Sequence, residues 1–201
     1  MKTQENVMVE NFNTPNKELH SRFMIRRDMP EVYEIERKAA EKSMKEPWDE
    51  NDFLGVLRTK GSNGMVIEEV TKGNEEGNDK YKIIGFYIYG TCEEKVLDGN
   101  IKFLNLMKIG ADPDYDRPKI EEYVVNRLKD KSMHENATMI LDVDERDLNL
   151  QNLLNSKDFA ATGIIRAVAN SDSDLFRFEY AQGFSEIIAV RRANKQEQRQ
   201  L

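Results

Sequence analysis

A change of period between residues 101 and 128 constrains the centre of this chain more than any other feature. Ile101-Lys-Phe-Leu-Asn-Leu-Met-Lys-Ile109 reads as a strand. Beyond it Ile120, Tyr123, Val124 and Leu128 recur at helical spacing, with Arg127 as the polar gap in the stripe, so a strand runs into a helix. A loop in that position can hold a phosphate on backbone amides at the helix's positive end. Here the loop is Asp116-Arg117-Pro118-Lys119-Ile120-Glu121, which contains no glycine. Two readings stay open. Arg117-Pro118 can simply begin a well-capped helix with Lys119 and Glu121 solvated, or Arg117 and Lys119 can grip an anion through their side chains.

The remaining elements fall around this centre. Arg22–Arg27 reads as a short strand, Pro30 opens a helix with Val32, Ile35 and Ala39 on one side, and Pro47-Trp48 resets the chain. Asp49 is a good cap for a helix carrying Phe53, Leu54 and Leu57. Gly64–Val70 and Tyr81–Thr91 form a hairpin around the turn formers Gly73, Asn74, Gly77 and Asn78, and Cys92–Asn100 reads as a polar connection. Ala137–Asp144 is the next strand, Asp147 caps a helix running to Lys157, and Gly163–Ala169 with Asp174–Tyr180 makes a closing hairpin. Residues 1–20 and 181–201 are polar and read as arms flanking one domain over 21–180.

Composition sets limits on function. The 201 residues suit a single domain with a real core. A net charge of −7 offers no basic field for nucleic acid. Cys92 is the only cysteine, so no internal disulfide forms, and His20 and His134 stand apart without the spacing of a metal site. No window approaches the ~18 apolar residues of a membrane span, and the N-terminus has no apolar signal core. A cytoplasmic location with no metal is the expectation.

Three groups of residues carry a family resemblance. They are Met24–Glu36 with Glu46–Phe53, the Pro113-Asp114-Tyr115 lead-in to the central loop, and Leu141–Asp147 with Asp158-Phe159. In this order they resemble the GNAT acetyltransferases, and within them the RimI-type enzymes that acetylate the N-terminal amine of a ribosomal protein. The resemblance spans residues 21–180. It implies an α/β GNAT fold with a mixed, mostly antiparallel sheet of about seven strands and about four flanking helices. It also implies acetyl-CoA as cofactor, held by Leu106, Met107, Ile109, Arg117, Lys119 and Ile120, and a protein or peptide partner, ribosomal by resemblance.

The resemblance further implies a phosphate loop of the form Arg/Gln-x-x-Gly-x-Gly/Ala, from which this chain departs. Asp116 replaces the initial Arg or Gln, Arg117 and Lys119 stand at the flanking glycine positions, Glu121 replaces the last small residue, and Pro118 lacks an amide donor. A carboxylate ~4 Å from a phosphate costs on the order of 4 kcal/mol at an effective dielectric of ~20. Side-chain cations do not recreate close backbone approach once Cβ atoms crowd the loop.

The family's general base falls at Asp142, with Asp144 on the same strand face by period two, a pair suited to raising one carboxyl pKa. Two solvated carboxylates at a strand end are the plain alternative. The family's general acid, a Tyr, falls at Leu154, with Tyr115, Tyr123 and Tyr180 as possible replacements; its Asn becomes Asp147 and its Gly before Phe159 becomes Asp158. Loss at the loop, the acid and the C-terminal signature together points to an acetyltransferase descendant with impaired or lost catalysis. An active acyl-CoA-dependent enzyme with an unconventional loop, a non-catalytic protein-binding module, and a cleft for another ligand are the competing functions.

Overall fold

The computed structural model describes residues 17–43, 46–73, 79–96, 99–167 and 173–181. A seven-stranded mixed sheet forms its middle, in the order β1-β2-β3-β4-β5-β7-β6. The strands are β1 (Lys17–Phe23), β2 (Ser62–Thr71), β3 (Lys80–Val96), β4 (Gly99–Ala111), β5 (Ala137–Asp144), β6 (Ala160–Ile165) and β7 (Leu175–Tyr180). Four helices flank it: α1 (Met29–Ser43), α2 (Glu50–Leu57), α3 (Arg117–His134) and α4 (Leu148–Ser156). Every neighbouring pair is antiparallel except β4 and β5, which are parallel because α3 carries the chain back across the sheet between them. The fold class and element order expected from the sequence are therefore present.

Local signals explain the helix starts. Asp49 caps α2, accepting from the Asp52 amide at 2.9 Å while the Asp52 side chain accepts from the Asp49 amide at 2.9 Å. Asp116 caps α3 and Asp147 caps α4, each accepting from the amide three residues on.

Boundaries expected from the sequence move in several places. β1 starts at Lys17, inside the stretch read as an arm, and ends at Phe23; Arg26–Asp28 is a 3-10 turn, not the end of a strand. Arg22 donates to Asp28 at 2.6 Å, and the Asp28 carboxylate accepts the Ile25 amide at 2.8 Å, which bends the chain there. Cys92–Val96 and Gly99–Asn100 are paired strand and not connection: Cys92 opposes Phe103 and Glu94 opposes Ile101. Its polar composition hid this because this end of the hairpin is largely exposed and gains little from apolar side chains. The turn formers Asn74, Gly77 and Asn78, residues 168–169 of the expected closing hairpin, and residues 1–16 and 182–201 of the expected arms lie outside the described residues.

Two apolar clusters, one on each face, hold the sheet. On one face Ile120, Val124, Val125 and Leu128 of α3 and Leu154 of α4 pack on Leu104, Leu106, Leu141 and Val143. On the other, Val32 and Ile35 of α1 and Phe53 of α2 pack on Val66, Phe86 and Ile88. Phe53 is the hub of the second, with Trp48, Tyr33 and Phe86 ring centroids 5.3–5.5 Å away. Gly110 lets Phe86 lie flat on β4, since a Cβ there would sit 2.1 Å from its ring. No helix among the described residues is long and apolar enough to cross a membrane.

Candidate functional site

The parallel pairing of β4 with β5 runs from Lys102 opposite Ala137 to Leu106 opposite Leu141 and stops there. Both strands continue, β4 to Ala111 and β5 to Asp144, so their C-terminal ends part. The parting coincides with a bulge: Tyr89 opposes Leu106 and Ile88 opposes Lys108, leaving Met107 as the extra residue in β4. α3 begins directly beyond this gap. Strand ends that part near a helix N-terminus make this the candidate ligand site.

Of the six residues expected to hold a cofactor, Leu106 and Ile120 are buried in the α3 cluster and Ile109 packs against it. Met107 is exposed at the bulge, and Arg117 and Lys119 are exposed in the first turn of α3.

The loop itself is closed on its own carboxylates and carbonyls. The Asp114 amide donates to the Asp112 side chain at 3.1 Å and the Tyr115 amide to the Asp112 carbonyl at 2.9 Å. The Lys119 amide donates to the Asp116 side chain at 3.4 Å, and the Ile120 amide to the Asp116 carbonyl at 3.2 Å. Pro113 and Pro118 have no amide hydrogen. The diphosphate of a coenzyme A-type cofactor needs a row of free, approachable amides, and these residues do not fit it: a carboxylate already occupies the helix end.

Arg117 is not free either. Its Nε donates to Glu121 at 2.6 Å and its Nη2 to Asp147 at 2.6 Å. Burial disfavours the Arg117 charge, but Glu121 and then Asp147 outweigh it, and the net shift is upward. Glu121, expected in solvent under the capped-helix reading, is only 2% exposed. Burial raises its pKa, opposed by the Arg117 guanidinium beside it. The reason is geometric: position 121 sits one residue past Ile120, on the flank of the buried stripe that also holds Val124 and Val125.

On β5, Leu141 and Val143 face α3, which turns Asp142 and Asp144 to the opposite face. Asp142 accepts from Arg177 Nε and Nη2, both at 2.8 Å, across the β5–β7 register. That bond raises the Arg177 pKa. Asp144 accepts from the Arg146 amide at 2.9 Å, from its guanidinium at 3.1 and 3.2 Å, and from Ser173 Oγ at 2.9 Å. Each acid has its own cation, an arrangement different from two like charges sharing a site.

The position matching the family's acid, Leu154, has no exposed surface. The phenols that could replace it have these contacts. Tyr123 donates to Ser21 at 3.2 Å, Tyr180 packs on Phe159 with Lys129 4.3 Å over its ring, and Lys82 lies 5.0 Å over Tyr115.

Sequence reasoning missed one cluster on the α1 side of the gap. Lys108, just past the bulge, donates to the buried Glu36 at 2.7 Å and lies 4.7 Å over the Trp48 ring, while the Trp48 amide donates to Glu36 at 3.1 Å. No local pattern joins residues 72 apart. Arg117 and Glu121, by contrast, stand at i,i+4, a spacing that signals a pair, although the sequence reading left Glu121 in solvent.

No protein-family model matches the chain, and no curated protein sequence does. Solved structures do match. The ribosomal-protein-S18-alanine N-acetyltransferase from Escherichia coli is 21% identical with a TM-score of 0.59, covering 82% of this chain and 94% of that one. Arabidopsis thaliana NAA60 in complex with acetyl-CoA is 13% identical with a TM-score of 0.62, covering 82% of this chain and 100% of that one. The spermidine N-acetyltransferase from Vibrio cholerae in complex with CoA and spermine is 15% identical with a TM-score of 0.61, covering 82% and 96%.

Proposed function

From the fold shared with the GNAT acetyltransferases, we propose that this protein descends from an acetyl-CoA-dependent N-acetyltransferase, of the RimI type, in which acetyl transfer is impaired or lost. The closed α3 loop carries this reading. The amides of Asp114, Tyr115, Lys119 and Ile120 are satisfied within the loop, and its arginine is held by two carboxylates. The site lacks a proton donor at Leu154 as well, and Asp142 is tied to Arg177 instead of standing free as a base. The retained groove then serves as a binding surface for a peptide or protein partner, ribosomal by resemblance.

The parting of β4 and β5 past Leu106 favours a second reading, since the groove persists although the loop has changed. In that reading the protein is an active acyl-CoA-dependent N-acetyltransferase. Leu106, Met107, Ile109 and Ile120 line the groove, Arg117 and Lys119 meet the diphosphate, and Asp142, with Asp144 beside it, takes the proton of the acceptor ammonium.

Calorimetric titration with acetyl-CoA separates the two. Saturating cofactor without heat is the outcome expected for the closed loop. Micromolar binding, with turnover on N-terminal peptides that Asp142→Asn abolishes while binding survives, establishes the enzyme instead.

A further inference from the structure

We propose that Arg117 is a latch: clasped by Glu121 and Asp147, it keeps the first turn of α3 shut against a diphosphate, and neutralising those two carboxylates makes the same arginine an anion ligand. The inference rests on the closed-loop reading and adds what closes the loop.

One guanidinium joins two helix starts. Glu121 lies one turn further along α3 and is buried, while Asp147 caps α4 with its other oxygen on the Leu150 amide at 3.2 Å. Charge-assisted hydrogen bonds of this length are among the strong ones, and the dry surroundings of Glu121 strengthen its share. An incoming phosphate competes with partners already in place, which lose no freedom by staying.

The balance of charge points the same way. At the guanidinium itself, two carboxylates, Glu121 and Asp147, stand against the single positive charge of Arg117. Glu121→Gln with Asp147→Asn removes both of these negative charges and returns the Arg117 donors to the groove. Both changes keep shape. Asn caps a helix about as well as Asp, and a neutral amide is easier to bury than a carboxylate.

The test titrates coenzyme A and pantetheine, which lacks the diphosphate, into the parent protein, the E121Q/D147N variant and the R117Q/E121Q/D147N variant. Circular dichroism melts confirm that each is folded. The double variant is expected to bind coenzyme A at least tenfold more tightly than the parent, with pantetheine unchanged, and the triple variant to lose the gain. A folded double variant that takes coenzyme A no better than the parent overturns the latch, as does an equal gain for pantetheine or a gain that survives Arg117→Gln. Should the double variant fail to fold, Asp147→Asn alone frees one side of the guanidinium and supports the same comparison. The parent's own affinity judges the closed-loop reading separately: micromolar uptake sinks that reading, while the ratio between parent and variant still decides the latch.

Discussion

The starts of α2 and α3 use the same device and mean different things. Both are capped by an aspartate that accepts an amide three residues on. At α2 the carboxylates of Asp49 and Asp52 are exposed and close a reciprocal box. At α3 the cap stands over the gap between β4 and β5, where an anion would otherwise use the same amides. A cap is therefore plain helix chemistry in one place and competition for a ligand in the other. Its position above parted strands makes the difference.

The comparison can be broken from below or from the side. The largest effect belongs to the scaffold: Phe86→Ala removes a fully buried ring lying on Gly110 and Phe53 and should cost about 3–5 kcal/mol in urea unfolding. If the groove depends on this packing, cleft residues lose protection from hydrogen exchange together with the core. Arg117→Ala comes next. It strands the buried Glu121, and because the arginine side chain is itself 56% exposed, a loss of about 1–3 kcal/mol is expected, below that of a fully buried pair. The cap change at α2, Asp49→Ala, should cost only about 1 kcal/mol. Equal losses at the two sites would erase the distinction between them.

Glu121 gives the pH arm of the contrast. Its folded pKa is raised above the ordinary 4.5, so the folded state holds this proton more tightly than the unfolded state. Its contribution to stability is complete below about 4.5 and is lost as pH rises through the raised folded value. In Glu121→Gln that part of the stability profile should be flat, with the difference from the parent visible in denaturation midpoints measured from pH 4 upward. An unchanged profile would mean that Arg117 fully offsets burial.

The smallest effect is expected at the end of α4. Asp158 has φ of 66°, in the left-handed region, at the position where the family resemblance places glycine. Asp158→Gly should raise stability by about 0.5–1 kcal/mol less whatever its contact with Lys129, at 3.3 Å, contributes. A thermal melt resolves the sign.

Much of the fold was legible because it rests on local and periodic signals. Ala137–Asp144 alternates buried and half-buried residues along its whole length, and the caps at Asp49, Asp116 and Asp147 stand where helix starts were expected. Boundaries slipped where neighbouring strands decided the matter. Cys92–Val96 has no apolar pattern and is strand because β4 supplies its partners, and Arg22 bends the chain at Asp28 through its side chain. The surroundings of the candidate-site residues were not legible in the sequence. Nothing in the stretch around Asp142 announces Arg177, which arrives from β7 through antiparallel register.

The sequence by itself determined the alternation of strands and helices, the aspartate caps and the absence of glycine from the central loop, since propensity, period and backbone freedom act over a few residues. Only the tertiary structure decided that β4 and β5 part after Leu106, that Glu121 is buried, and that Arg117 reaches Asp147 across 30 residues. These depend on distances between segments remote along the chain, and Coulomb attraction and burial act on such distances wherever folding brings them about.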